Sequence, residues 1–221
     1  MNAGLDDNAA FLDRVRDYLG TRMPDADDLV ITNVQRIAVG WSHETWLFDL
    51  TYREGGEARE QGLCLRRDPG NALLRHMSDL EEQFRVLKCL EATALPAPKV
   101  FWYESDPAIL DAPFLVMEKV PGECPNPWGR AGRKFYAEAA ARGTLPASFT
   151  AALATLHTLD WEAAGLGFLG VPDPGEGFAR REIAKWRELI DASEHPPEPI
   201  LTDLMCWLES NIPAPGRCTL V

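Results

Sequence analysis

The chain is 221 residues long, and its hydrophobic fraction of 46% with 9% aromatic residues is enough to bury one or two cores. A formal charge of -12 sets its surface against phosphate backbones, so charge gives no support to nucleic-acid binding. The five cysteines (64, 89, 124, 206 and 218) are odd in number and lack CxxC spacing, which points to reduced thiols in a cytoplasmic protein rather than a disulfide or zinc framework, and no apolar run approaches the roughly twenty residues that span a bilayer.

Asp7 or Asn8 can cap a first helix in which Phe11, Val15, Tyr18 and Leu19 share a face, and Gly20 ends it. Then the period changes. Residues 30–39 and 45–52 are β-rich runs separated by Gly40-Trp41-Ser42-His43-Glu44. Residues 53–61, which include Gly55-Gly56, predict a polar hairpin loop leading to a third strand at 62–67. Ser78-Asp79-Leu80-Glu81 is a capping-box signature, and it opens a helix with Leu80, Phe84, Leu87 and Leu90 on one side. This helix, residues 78–93, is expected to be the only long one packed on the sheet. Pro96 and Pro98 stop it and start an extended run at 99–103, after which a loop over 106–113 feeds a strand at 114–120.

Past Gly122 the pattern turns helical. A Pro-rich connector at 121–127 precedes a short helix at 135–141, and Pro146 leads a helix carrying Phe149, Leu153, Leu156 and His157. Residues 165–177 form a Gly/Pro loop, helices follow at about 178–192 and 199–210, and Thr219-Leu220-Val221 reads as a buried strand. His157 reads as a packed core histidine, and Asp173, Glu176 and Glu182 as solvated acids.

Two segments carry the chemistry. Leu63-Cys64-Leu65-Arg66 is apolar-X-apolar ending in a cation, the shape of a strand that sets positive charge against nucleotide phosphates. Arg66 alternates with Leu65, and its planar fork suits phosphate; the bland alternative is a surface arginine at a strand end, as Arg67 reads. The second segment, Phe114 onward to Val120-Pro121-Gly122, is an apolar strand that turns polar and meets a glycine, as a hinge beneath an adenine ring does. There Met117 would back the adenine pocket, while the Glu118 C=O and Val120 N–H would meet the adenine edge. A buried strand entering a turn is the plainer reading and holds in either case. Gly40 and Ser42 fit a turn whose backbone N–H groups and hydroxyl approach phosphates, or an ordinary hairpin turn.

Taken in order, Gly40-Trp41-Ser42-His43-Glu44-Thr45-Trp46, Leu63-Cys64-Leu65-Arg66-Arg67, Gln83-Phe84-Arg85-Val86-Leu87, Pro96-Ala97-Pro98-Lys99-Val100, Pro113-Phe114-Leu115-Val116-Met117-Glu118 and Ala154-Thr155-Leu156-His157 resemble the aminoglycoside phosphotransferase and choline kinase-like family. The likeness is to the branch similar to the kinase-like domains found with acyl-CoA dehydrogenases. It implies an α+β, protein-kinase-like fold: an N-terminal helix and five-stranded antiparallel nucleotide-binding lobe over residues 1–121, then an incomplete helical C-terminal lobe over 122–221. Gln83 takes the helix position where a kinase glutamate orients the cation; its amide can accept a hydrogen bond but supplies no ion pair, and an ordinary solvated helix residue is the alternative reading. Val39 and His43 depart from the family, which usually shows a second glycine and an asparagine there.

The resemblance further implies ATP as cofactor and a small-molecule hydroxyl as phosphate acceptor, while charge and hydropathy set aside nucleic acid and membrane as partners. The family's His-Gly-Asp motif, with the Asn and the magnesium-binding Asp beyond it, is expected where this sequence stops. No residue is therefore assigned as catalytic base or metal ligand, and Mg2+ is expected only for the complete enzyme. A non-catalytic nucleotide-binding or interaction protein, a truncated pseudokinase, is the competing reading.

Overall fold

Large apolar side chains at every second position of neighbouring strands set the architecture. The computed structural model describes residues 3–37, 43–69, 79–123, 125–170, 177–192, 198–212 and 219–220. Trp46, Phe48 and Leu50 in β2 (Glu44–Glu54) and Leu63 and Leu65 in β3 (Glu57–Arg67) are almost fully buried at every second position, as a pleated strand with one face on a core requires. The two strands pair antiparallel along their whole length, from Glu44 opposite Arg67 to Glu54 opposite Glu57. Gly55 and Gly56 make the connection at φ 60° and 84°, the left-handed conformations of a tight hairpin turn that glycine adopts without a Cβ clash. The polar loop expected over 53–61 thus shrinks to two residues, because strand pairing carries on through its polar flanks.

β1 (Ala26–Ile37), β4 (Val100–Glu104) and β5 (Phe114–Glu118) complete a five-stranded antiparallel sheet in the order β1-β2-β3-β5-β4. β1 starts before the expected residue 30, and Asp28 and Asn33 take positive φ (55° and 51°) where its register against β2 shifts, as bulges do.

One face of the sheet is covered by α1 (Ala3–Arg22), whose Val15, Tyr18 and Leu19 pack with Trp46, Phe48, Leu50, Leu63, Leu65, Phe114 and Val116. The Tyr18 ring meets Phe114 edge-on at 4.8 Å, and Phe11 stacks on Trp46 at 4.7 Å. This corrects the expectation of one long sheet-packed helix: the apolar stripe of α1 has to be buried somewhere, and the sheet's alternating apolar face is its partner. Arg14 fixes the helix in place, donating to the Ile109 C=O (2.6 and 2.9 Å) and pairing with Asp111 (2.7 Å). Ile109 lies in α3 (Pro107–Leu110), a single turn within the expected loop; Asp106 caps it by accepting from the Ala108 N–H at 2.8 Å, and proline opens it.

α2 (Leu80–Leu90) packs on β4 and β5 from the other side. Its N-cap is Asp79, one residue after Ser78, with the carboxylate accepting from the Glu81 N–H at 2.8 Å. Asp79→Ala is expected to lower stability by about 1 kcal/mol in a denaturant melt, the usual loss when an N-cap acceptor is removed.

The remaining helices are α4 (Arg130–Ala141), α5 (Thr144–Thr158), α6 (Gly177–Asp191) and α7 (Pro199–Ser210), with a 3-10 turn at Leu166–Leu169. The chain divides into two compact units, residues 1–150 and 151–221. Within the second, α6 and α7 lie together and Arg187 pairs with Glu209 at 2.8 Å. The expected buried strand at 219–221 is not seen among the described residues: Thr219 is exposed, and its hydroxyl donates to the His157 C=O. No described helix is long and apolar enough to cross a membrane.

Candidate functional site

Leu63 and Leu65 turn into the core beneath α1, so the period of two sends Cys64 and Arg66 to the α2 face of the sheet. Arg66 lies opposite Thr45 on β2 and Leu115 on β5, while Cys64 lies opposite Leu47 and Met117. Register therefore gathers Cys64, Arg66, Leu115 and half-buried Met117 on one patch.

Arg66 is held by two neutral acceptors. Its Nη1 donates to Gln83 Oε1 on the first turn of α2 at 3.0 Å, and its Nη2 donates to the Nδ1 of His43 at 3.2 Å. Guanidinium only donates, so the Nδ1 of His43 is unprotonated in this contact. His43, just before β2, is 8% exposed. Among the described residues no carboxylate lies within ion-pair distance of Arg66.

Arg67, one residue on, is occupied otherwise. It pairs with Glu44 at 2.8 Å, donates to the Leu110 C=O at 2.7 Å and sits over the Phe11 ring at 5.3 Å. Glu44 also holds Arg36 at 2.9 Å. Two adjacent arginines thus serve opposite faces: one is neutralised and packed under α1, the other is oriented with its charge intact.

The end of β5 is pinned from both sides. The Glu118 N–H donates to the Lys99 C=O at 2.8 Å, the Glu118 carboxylate accepts from the Lys99 N–H at 3.2 Å, and the Lys119 N–H donates to the Gly62 C=O at 3.0 Å. Lys119 Nζ reaches Asp49 on β2 at 2.7 Å, and Asn33 donates to the same carboxylate at 2.8 Å. These hydrogen bonds, that of Lys119 foremost, hold the Asp49 carboxyl below the usual carboxylate range. Gly62 leaves room for the Lys119 stem: a Cβ there would lie 3.1 Å from the Lys119 Cβ. Val120, immediately beyond, is exposed to solvent.

Gly40 and Ser42 lie outside the described residues. Of the other residues read from sequence, Arg66 and Gln83 meet directly, Met117 shares their face, and Glu118 and Val120 mark the strand end beyond it. His43 was missed as a partner of Arg66. Its local pattern carries no signal; only the pairing of Thr45, two residues on, with Arg66 on the adjacent strand brings it near. Among the described residues no group of three or more His, Cys, Asp or Glu is placed to hold a metal ion.

Cys64 is buried beside Arg66, and burial pushes its thiol up to about 11, with the neighbouring cation pulling the other way. The folded thiol therefore keeps its proton to higher pH than the unfolded one. The stability this contributes is complete below about 9 and is lost as pH rises through about 11. At pH 8 a thiol reagent is expected to label exposed Cys206 in the native protein and Cys64 only after denaturation, as read by mass spectrometry of digested protein.

The sequence profile of the phosphotransferase enzyme family matches residues 33–221. The chain belongs to the phosphotransferase enzyme family. Acyl-CoA dehydrogenase family member 11 of Rattus norvegicus is 28% identical over 198 residues, covering 89% of this chain and 24% of that protein. Acyl-CoA dehydrogenase family member 10 of Mus musculus is 28% identical over 182 residues, covering 82% of this chain and 16% of that protein. A crystal structure from Ralstonia eutropha JMP134, assigned by name only as an aminoglycoside phosphotransferase, superposes with a TM-score of 0.58 at 24% identity, over 91% of this chain and 54% of that one. The fold is accordingly the kinase-like one of this family. The chain spans about a quarter or less of the length of these curated relatives and about half of the solved structure's chain.

Proposed function

We propose that this chain is the nucleotide-gripping portion of an ATP-dependent phosphotransferase that acts on a small-molecule hydroxyl. The observation that carries this reading is Arg66, a cation oriented by Gln83 and His43 on the same face as Met117. In this reading residues 1–121 form the nucleotide lobe of a cytoplasmic protein. Arg66 takes the α- and β-phosphates through its guanidinium fork, Met117 backs the adenine, and the Glu118 C=O and Val120 N–H meet its edge. Gly40 and Ser42 belong to the phosphate-binding set read from the sequence. Pinning of β5 through Lys119, Asp49 and Lys99 keeps the hinge groups in register with Arg66, the kind of preorganisation on which phosphoryl transfer relies.

Magnesium would neutralise the phosphates in the complete enzyme. The described residues do not assemble a site for it. No segment of the 221 residues reads as the His-Gly-Asp motif, and no residue is assigned as the base. The non-catalytic reading draws support from Gln83, which leaves the cation without the glutamate partner of active kinases.

Purified chain, ATP, magnesium and a panel of hydroxyl acceptors test the assignment. Saturable ATP binding without phosphorylated acceptor is the expected result. Magnesium-dependent turnover that disappears in Arg66→Ala would overturn the claim that this portion lacks its base, and absence of any ATP binding would overturn the nucleotide site.

A further inference from the structure

The two arginines at the end of β3 differ in what balances their charge. Arg67 has a carboxylate, Glu44, at 2.8 Å; Arg66 has an amide oxygen at 3.0 Å and an imidazole nitrogen at 3.2 Å. Both sets of partners fix a guanidinium in place, yet only the first cancels its charge. A buried carboxylate beside a cation competes with any incoming anion, because each brings the same attraction to the same donors. A neutral acceptor orients the fork and leaves its field intact. His43 fits this role chemically: it is almost fully buried, its Nδ1 accepts from Arg66, and a second proton on the ring would remove that acceptor.

Resting on the nucleotide reading above, we infer that His43 and Gln83 are positioning residues that clamp Arg66 with neutral acceptors, so that its undiminished positive charge meets the phosphate tail of the nucleotide. Kinases usually orient this cation with a glutamate; here orientation and neutralisation are separated. Restoring the carboxylate is therefore a loss for the phosphate grip of this chain rather than a repair.

ATP and adenosine titrations on wild type, Gln83→Glu, His43→Leu and His43→Asn decide the matter, each repeated across a salt series. Gln83→Glu is expected to weaken ATP by roughly tenfold while leaving adenosine unchanged, and to flatten the salt dependence of ATP binding. His43→Leu, which keeps bulk and loses the acceptor, is expected to weaken ATP severalfold, and His43→Asn, which returns an oxygen near the Nδ1 position, to recover most of that loss. Melting curves without ligand establish that each variant is folded. Gln83→Glu binding ATP as tightly as wild type or better, or ATP and adenosine falling together in the His43 variants, would overturn the clamp while leaving the nucleotide site standing. Wild-type protein that binds neither ligand would remove the nucleotide site, and the clamp with it.

Discussion

Replacing Phe48 with alanine is expected to lower the unfolding free energy of the sheet-bearing unit by about 3–5 kcal/mol, measured as a shift in denaturant midpoint. Phe48 is wholly buried in β2, where it packs in the same cluster as Val15 and Leu19 of α1 and Leu63 of β3. Removing the ring takes away its transfer free energy and leaves a cavity that a closed antiparallel pairing on either side cannot collapse to fill. Small domains carry roughly 5–15 kcal/mol in total, so the variant sits near the edge of folding. Val34→Ala is the internal comparison: Val34 belongs to β1 and is 36% exposed, so its loss is expected to stay within about 0.5 kcal/mol. Equal effects at the two positions would contradict the assignment of faces.

The second large effect falls on ligand binding. Arg66→Ala is expected to weaken ATP by on the order of 1.5–3 kcal/mol, the contribution of a charge-assisted contact. Arg67→Ala is expected to leave ATP affinity nearly unchanged and to lower stability instead. Its guanidinium joins β3 to Glu44, to the Leu110 C=O and to the Phe11 ring, all on the α1 side. Two neighbours in a strand cannot both reach one ligand, because successive side chains leave opposite faces. Calorimetry on both variants, paired with melting curves, reads the two effects separately. A loss of ATP affinity in Arg67→Ala equal to that in Arg66→Ala would contradict the register of β3.

What was legible in the sequence follows from the physics of each signal. Leu63 and Leu65 recur at every second position with Arg66 one residue on, so β3 and the facing of Arg66 could be read directly, whereas β5 was legible as a short continuous apolar run in which Phe114, Leu115 and Val116 are all wholly buried. α7 was equally plain because Pro199 opens it and its apolar residues recur at helical spacing. The packing of α1 was not legible. An amphipathic stripe announces that a face will be buried but not against which element, and Arg14 finds Asp111 across most of the lobe's sequence. α3 was overlooked although Asp106-Pro107 is a cap followed by a first-turn proline, because a single turn has no period to recognise. In the candidate site, Gln83 was identified from its place on the helix, whereas His43 stood only as a departure from the family's pattern. Its contact with Arg66 depends on cross-strand register and on a tautomer, neither of which local sequence encodes.

The proposed nucleotide site lies on the α2 face of the sheet, around Arg66. Backbone amide shifts followed during an ATP titration of the intact chain test it most directly. Saturable shifts are expected, concentrated at Cys64 and Arg66 on β3, at Met117, Glu118 and Val120 at the end of β5, and at His43 and Gln83, with Arg67 and the α1 residues Val15 and Leu19 little changed. Shifts confined to residues 151–221, or none at ATP concentrations in the millimolar range, would contradict it.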